Sequence, residues 1–289
     1  MPLYVASLLV DGVIIGGIYV LVALGLTLTF GVMQIMNFAY GAILMWAAFI
    51  TYALIVYAGF GFSASLAIAL LTVALGGVVL EHLAFRRVRY DLLNALIVSM
   101  GLIAILENVA VAVWGTDPRS IPSPFSGIVR IGRVQFGQDR LVALVASTLL
   151  AGGLALFLKV TRTGRAIRAA AQNPDVAEAV GINLDRVVAV VFGVSCALAG
   201  AAGALYGVIF TVTPLMGGVP LMKGVVVVVL GGLGSVEGAI LAGFLLGVAE
   251  SLGGGLVSPI LKDAFGLAAL ILVLLWRPSG ILGWTLKRF

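Results

Sequence analysis

The chain has 289 residues, of which 62% are hydrophobic and 10% charged, with a net charge of +5 and a mean hydropathy of +1.21. Soluble domains carry about 25% charged residues, so this composition excludes a water-soluble globular protein. The basic residues cluster at the ends of apolar runs, which favours membrane topology signals over a nucleic-acid-binding surface.

Apolar runs follow one another along the chain, and a spanning helix needs roughly 20 such residues. They predict an all-α polytopic membrane protein with about eight or nine transmembrane segments, in a single transmembrane domain over residues 1–289. Residues 222–234 are too short to cross comfortably, so a broken or re-entrant helix is predicted near 222–252, as one broken helix or two short ones. The runs are 5–30, 41–58, 62–83, 92–114, 140–159, 187–210, 222–234, 236–252 and 264–283.

Three basic clusters predict the orientation of the chain. All three fall on one side of the predicted spans, and the excess of Lys and Arg in cytoplasmic loops makes that side cytoplasmic. The N-terminus is then outside and the C-terminus cytoplasmic. No basic region precedes the first run, so we predict no cleavable signal peptide. The clusters are Arg86, Arg87 and Arg89; Lys159, Arg162, Arg165, Arg168 and Arg186; and Arg277, Lys287 and Arg288.

Two uncharged polar residues, Gln34 and Asn37, interrupt the first long apolar stretch. Such side chains either bind a polar ligand or form hydrogen bonds between helices, where they contribute about 0.6 kcal/mol each on average. The sequence leaves both interpretations open.

Two polar loops separate the middle spans. The external loop, residues 115–140, holds three prolines, and its stretch 127–137 has the pattern of a small hairpin. The internal loop, residues 160–186, is predicted to form two short helices along the cytoplasmic face. Asn173-Pro174 is a helix-start signal between them. Arg165 and Arg168 share one helical face, either for a partner or for anionic lipid heads.

A glycine-rich segment follows the short run 222–234. Gly231, Gly232 and Gly234 lie within four residues and are followed by Ser235, a pattern that breaks a helix. Broken helices expose backbone groups to substrate in many transporters, so this segment is a candidate pathway. Glu237 lies beside it. Glu107 and Glu250 also fall within spans, where ionisable groups are functional candidates by default. His82 is interpreted as an interfacial residue.

Enzyme chemistry finds no support in the sequence. There is no His/Cys cluster for a metal, and the single cysteine, Cys196, lies inside an apolar run. The phosphate-loop pattern GxxxxGK[ST] is also missing. If ATP drives transport, another subunit must hydrolyse it and act through a docking surface.

Several segments resemble the branched-chain amino acid permease family, the LivH-type subunits, from about residue 10 to 283. They are 30–41 (FGVMQIMNFAYG), 80–89 (LEHLAFRRVR), Ile121-Pro122 with Pro124-Phe125, 163–169 (TGRAIRA), 173–183 (NPDVAEAVGIN) and 231–239 (GGLGSVEGA). The resemblance implies the permease subunit of an ATP-binding-cassette importer in a bacterial inner membrane, not an enzyme. Its partners would be a LivM-like second permease, two cassette ATPases, a periplasmic binding protein and membrane lipid.

The resemblance also implies site residues. No cofactor is expected on this chain, since ATP and magnesium would sit on the ATPases. ATPase coupling is assigned to Gly164, Arg165, Arg168, Ala169, Asn173, Pro174, Ala177, Glu178, Gly181 and Ile182. The substrate pathway is assigned to Gln34, Asn37, Phe38, Tyr40, Gly41, Gly231, Gly232, Gly234, Ser235 and Glu237.

One departure leaves the substrate open. Family members commonly read Asn-Phe-Ala-His-Gly-Glu, whereas this chain has Tyr40 and Ala42 in place of the histidine and the acid. Related permeases import urea, short amides or aromatic acids. A stand-alone channel or carrier for small neutral solutes is the alternative function, and a membrane scaffold is a third. Whether the chain pairs with itself or with a different permease also stays open.

Overall fold

The computed structural model describes residues 2–89, 91–122, 127–131 and 134–283, which form eleven α-helices and one β-hairpin. A π-helical turn, Glu81–Phe85, extends α3, and a 3-10 turn, Pro259–Leu261, precedes α11. The helices are α1 (Pro2–Met33), α2 (Tyr40–Val56), α3 (Phe62–Leu80), α4 (Leu92–Trp114), α5 (Gln138–Val160), α6 (Arg162–Gln172), α7 (Pro174–Ala179), α8 (Leu184–Ile209), α9 (Gly218–Gly231), α10 (Val236–Leu256) and α11 (Lys262–Trp276).

Seven of the described helices are long and apolar enough to cross a membrane: α1, α3 with its π-helical turn, α4, α5, α8, α10 and α11 with its 3-10 turn. This confirms the predicted all-α polytopic class. The apolar helices α2 and α9 are shorter, and 14 residues give α9 a length of about 21 Å against a hydrocarbon core of about 30 Å. The predicted broken region 222–252 is resolved as two helices, α9 and α10, joined by a tight turn.

The interior is built around α1 and α8, whereas α4 and α11 lie at the periphery. The buried share of an apolar 18-residue stretch is 83% in α1 and 78% in α8, against 11% in α4 and 6% in α11. Apolar surface of this extent on α4 and α11 suits contact with lipid or with another membrane protein.

Helices α1 and α10 pack along a line of glycines. Gly12 and Gly16 on α1 face Gly243 and Gly247 on α10, with four-residue spacing on both helices. A methyl group added to Gly247 would lie 2.5 Å from the Gly16 nitrogen and 2.6 Å from its Cα. Lipid gives helices no hydrophobic drive to associate, so backbone approach of this kind holds them together. We call these four residues the glycine seam.

Two helices end before the predicted runs do, because a proline or glycines follow their last residue. Helix α11 ends at Trp276 rather than at 283, because Pro278 forces Arg277 out of the helical region, to φ −137° and ψ 89°. Helix α9 ends at Gly231 rather than at 234, because Gly232 and Gly234 have φ values of +103° and +82°.

Both predicted loops take the expected form. Strands β1 (Ile128–Ile131) and β2 (Val134–Gly137) pair antiparallel, with Val129 opposite Phe136, which confirms the hairpin. The two predicted internal helices are α6 and α7. Four residues of the analysed motifs and clusters lie outside the described residues, namely Pro124, Phe125, Lys287 and Arg288, as do positions 132–133 of the hairpin stretch.

The described basic residues of the three clusters gather at one end of the helices. Arg86 and Arg89 bind Asp185 at the start of α8, and Lys159 lies 3.3 Å from Glu237 at the start of α10. The segment after Arg277 continues beside the end of α9, where Ile281 and Leu282 donate backbone hydrogen bonds to Leu230 and Gly231. We call this end, with the loop 160–186, the basic end.

Candidate functional site

Side-chain oxygens start each helix of the loop 160–186. Thr161 Oγ1 accepts a hydrogen bond from the Gly164 amide at 2.9 Å, at the start of α6. Asn173 Oδ1 accepts one from Val176 at 3.1 Å, and Pro174 occupies the first turn of α7. Asn183 Oδ1 accepts one from Arg186 at 3.0 Å, at the start of α8. Caps of this kind contribute about 1 kcal/mol each, so three local bonds set the path of the loop.

The end of α7 is formed by a glycine. Gly181 has φ +88°, and the amide of Ile182 donates back to the carbonyl of Ala177 at 3.0 Å. A residue in this left-handed conformation after a helix is usually glycine, because a Cβ is unfavourable there. Ala177 is buried, so one face of α7 is held against the rest of the chain.

The outward face of α7 is uncovered. Val176 and Val180 are 58% and 72% exposed, and the exposed residues Asp175 and Glu178 lie beside them. Apolar side chains ringed by charge form a surface of the kind that partner proteins cover. We call the exposed faces of α6 and α7 the coupling surface, after the role predicted for them, which stays a prediction.

Helix α6 contributes cations to the same surface. Gly164, Ile167 and Ala170 are buried, whereas Arg165 and Arg168 are exposed. The predicted placement of the two arginines on one outward face is therefore observed. Ala169 is half-buried between the two faces. A methyl group on Gly164 would lie 2.6 Å from the Leu158 Cα, so glycine lets α6 fold back closely against α5.

The loop passes directly into α8, one of the most buried helices. The Asp185 carboxylate in its first turn receives hydrogen bonds from Arg86, beside the π-helical turn, and from Arg89, at 2.5 Å. These bonds tie the ends of α3 and α8 together. Farther along α8, a methyl group on Gly203 would lie 2.9 Å from the carbonyl carbon of Leu44 on α2. The start of α8 is therefore joined to α3, and its middle packs against α2.

The segment joining α1 and α2 is irregular and mostly buried. Gln34 ends α1 with φ +55°, and its side chain is exposed. Asn37 is 2% exposed, and its Oδ1 accepts a hydrogen bond from the Ala39 amide at 3.0 Å. The Asn37 oxygen thus organises the start of α2 rather than bonding to Gln34. Phe38 is half-buried.

Helix α2 begins with two close contacts. Tyr40 is buried against Gly25 of α1, and the Tyr40 hydroxyl has no hydrogen-bond partner in the described part of the chain. A methyl group on Gly41 would lie 2.7 Å from the Gly217 oxygen, so the starts of α2 and α9 meet. Ala42 is also buried, at 3%. The two departures from the family pattern therefore lie in a packed interior.

The predicted glycine break is the turn between α9 and α10. Ser235 Oγ accepts a hydrogen bond from the Gly238 amide at 3.0 Å and starts α10. A methyl group on Gly231 would lie 2.5 Å from the Gly238 carbonyl carbon. The side chain of Glu237 is 69% exposed and pairs with Lys159 across the surface. The turn lies at the basic end of the molecule.

The two segments assigned to the substrate pathway approach each other at this end. A methyl group on Gly31 of α1 would lie 3.8 Å from the Gly234 Cα in the α9–α10 turn. Between Leu26, Met36, Val225 and Val228 a gap of about 10 Å³ remains, which is room for about one water. The pathway role of these residues stays a prediction.

The sequence analysis missed an ionic cluster on α9, α10, α11 and α1. Lys223 Nζ lies 2.5 Å from Glu250 Oε1 and 2.8 Å from Asp263 Oδ1, and the Tyr19 hydroxyl donates to Glu250 Oε2 at 3.0 Å. The Glu250 side chain is 0% exposed and that of Lys223 is 11% exposed. Lys223, at the start of the short run 222–234, and Glu250, inside a span, were the available signals.

A family model described as "Branched-chain amino acid transport system / permease component" matches residues 8–274. The chain is 33% identical over 300 residues to the Escherichia coli K12 permease protein LivH, covering 97% of this chain and 96% of that protein. It is 33% identical over 290 residues to BraD of Pseudomonas aeruginosa, covering 95% and 94%.

A more distant relative and one solved structure extend the comparison. The Escherichia coli K12 permease protein LivM is 29% identical over 310 residues, covering 98% of this chain and 72% of LivM. LivH, BraD and LivM each carry the name of a high-affinity branched-chain amino acid transport system. The fold is similar to PsaBC from Streptococcus pneumoniae in complex with Fab, with a TM-score of 0.51, 12% identity and coverage of 92% and 90%.

Proposed function

The chain belongs to the branched-chain amino acid permease family, and we propose that it forms the transmembrane pathway of an ATP-driven importer for branched-chain or related amino acids. The observation that carries this proposal is the 33% identity to LivH over 97% of the chain. The exposed coupling surface, which a stand-alone pathway would not need, supports it.

We propose that the chain works with other subunits. LivH and LivM of Escherichia coli are both named as permease proteins of one transport system, and this chain is similar to each. The similarity to LivH is the greater, which favours a LivM-like second permease as the partner. The chain carries no phosphate-loop pattern, so two cassette ATPases would supply the energy and bind ATP with magnesium. A periplasmic binding protein would deliver the substrate.

The basic end would face the cytoplasm, where the ATPases are. Lys and Arg in excess mark cytoplasmic loops, and the described members of the three basic clusters lie at this end. The N-terminus of α1, antiparallel to α10 in the glycine seam, would then lie outside, in an inner membrane of a bacterium.

Coupling would run from α7 to the pathway in three steps. Closure of the ATPases presses on the coupling surface around Val176, Val180 and Glu178. The displacement passes through the capped junction at Asn183 into α8. Contact of Gly203 with Leu44 then moves α2, whose first residues meet the start of α9 at Gly217. The two short helices would thereby open the pathway alternately to each side, as in other transporters with broken helices.

Reconstitution tests the function. The tagged chain would be isolated in mild detergent with its partners, placed in liposomes and assayed for uptake of labelled L-leucine and of urea, with and without ATP. Leucine uptake that requires ATP and the ATPases supports the proposal. Uptake of urea by the chain alone, without ATP, would establish the stand-alone channel instead.

The coupling role is tested by charge reversal. A reversed charge at a docking surface costs several kcal/mol and each 1.4 kcal/mol is a factor of ten, so Glu178→Lys should lower ATP-driven uptake by about tenfold or more. Gly181→Arg should act similarly through the strained end of α7. Asp117→Lys, an equally exposed site near Arg119 at the opposite end, is the matched control. Normal uptake in Glu178→Lys and Gly181→Arg would rule out docking at α7.

A further inference from the structure

A cavity of about 90 Å³ opens beside the ionic cluster, between α1, α8, α9 and α11. Its walls are apolar and aromatic: Ile15, Ile18, Tyr206, Phe210 and Val219. The volume is several times what one water needs, and dry cavities of roughly 150 Å³ accept a molecule as large as benzene. The space therefore suits a small aliphatic group.

The cavity has a buried end and an exposed end. Tyr19 is 5% exposed at the buried end, where its hydroxyl bonds to Glu250. At the other end Val219 and Phe210 are 57% and 40% exposed, and the side chain of Asp263 is 74% exposed. This open end lies away from the basic end of the molecule, among the first residues of α9 and α11.

Charges of both signs surround the cavity and balance. Lys223 and Lys262 line it together with Asp263, and Glu250 lies behind Lys223. Two lysines and two carboxylates have no net charge. A simple anion would meet the repulsion of Asp263, and a simple cation would meet that of Lys262. A zwitterion of neutral overall charge fits both signs at once.

The two ion pairs of Lys223 differ in strength. Its bond to Glu250 is enclosed by protein, and removing either partner would leave an uncompensated buried charge, which is strongly unfavourable. Its bond to Asp263 reaches an exposed carboxylate, and pairs of that kind contribute little to stability because water screens them. A ligand can therefore separate Asp263 from Lys223 while the Lys223–Glu250 pair stays intact.

We propose that this cavity is an entry site for a zwitterionic α-amino acid with a small branched side chain. The ligand's carboxylate binds the Lys223 and Lys262 ammonium groups, and its own ammonium group binds Asp263. The ligand's branched side chain packs against the apolar wall formed by Ile15, Ile18 and Val219. The inference rests on the proposed function and adds to it a location on this chain where substrate is first bound.

Cysteine protection in the complete complex in lipid nanodiscs tests the site. Val219→Cys and Met222→Cys both replace α9 residues that are 57% exposed, but only Val219 lines the cavity. The native Cys196 is buried and gives little background. L-Leucine should slow maleimide labelling of Val219→Cys several-fold and leave Met222→Cys unchanged.

Two analogues test the charge requirement. L-Leucinamide lacks the carboxylate and 4-methylpentanoate lacks the ammonium group, so each should protect Val219→Cys much less than L-leucine does. Equal protection by either analogue, protection of both cysteines, or no protection at concentrations that saturate leucine uptake would overturn the site and leave the importer function standing. Failure of the same complex to take up leucine would overturn both proposals.

A transport assay separates a binding role from a structural one. Asp263→Asn should raise the apparent KM for leucine uptake several-fold with little change in maximal rate. The substitution removes the exposed carboxylate that binds the ammonium group of leucine. Asp11→Asn is the control, since Asp11 forms a partly exposed ion pair with Arg140 outside the cavity. Equal KM values in the two variants would overturn the assignment of Asp263.

Discussion

In the glycine seam, α1 and α10 approach until their backbones touch, whereas in the loop 160–186 each helix is positioned by one side-chain oxygen. The seam joins residues more than 200 positions apart, such as Tyr19 and Glu250 beside it, and the caps join residues three positions apart. Substitutions in the seam should therefore destabilise the whole fold. Substitutions in the loop should have local effects and alter coupling in a chain that is still folded.

The seam prediction has the largest expected effect. In Gly247→Leu, a side chain would have to enter the space of the Gly12 and Gly16 backbones, and overpacking costs roughly 1–3 kcal/mol or more even where side chains can move aside. We expect loss of most folded protein in size-exclusion chromatography of detergent extracts. Gly153→Leu on α5, where an added methyl group would meet open space, is the control. A normal elution profile for Gly247→Leu would contradict the rigidity of the seam.

Removal of the α7 cap is expected to have an effect of intermediate size. Asn173→Ala removes the oxygen that starts α7 and should cost about 1 kcal/mol locally. We expect faster amide exchange in residues 175–179 and reduced uptake, with an unchanged yield of folded protein. Asn173→Asp should restore the cap, and Gln172→Ala alters an exposed neighbour as a control. Unchanged exchange in Asn173→Ala would show that α7 is held by its packing alone.

The smallest effect is expected at the junction of the loop with α8. The side chains of Asp185 and Arg86 are 38% and 39% exposed, and such pairs contribute about 0.2–1 kcal/mol. A double-mutant cycle of Asp185→Asn and Arg86→Gln, followed by thermal unfolding, should give a coupling within that range that weakens with added salt. A salt-independent coupling well above it would place this junction with the seam, as part of the rigid core.

The same contrast explains which features could be predicted from the sequence. The spans, the hairpin and the helices α6 and α7 depend on neighbouring residues, and Asn173-Pro174 signals a helix start wherever it occurs. Lys223 and Glu250 meet only because α9, α10 and α11 pack together, so no local pattern pairs them. The four-residue glycine spacing was visible on both α1 and α10, but it does not say which helix each one contacts.

The length of chain between the two halves of the seam has a consequence for biosynthesis. Ribosomes add about 5–20 residues per second, so α1 enters the membrane roughly 10–50 seconds before α10 is made. During that time its glycine face and the Tyr19 hydroxyl lack the partners that later cover them, since Tyr19 and Glu250 are 231 residues apart. We therefore expect the yield of folded protein to depend on how well α1 is shielded until α10 has been made.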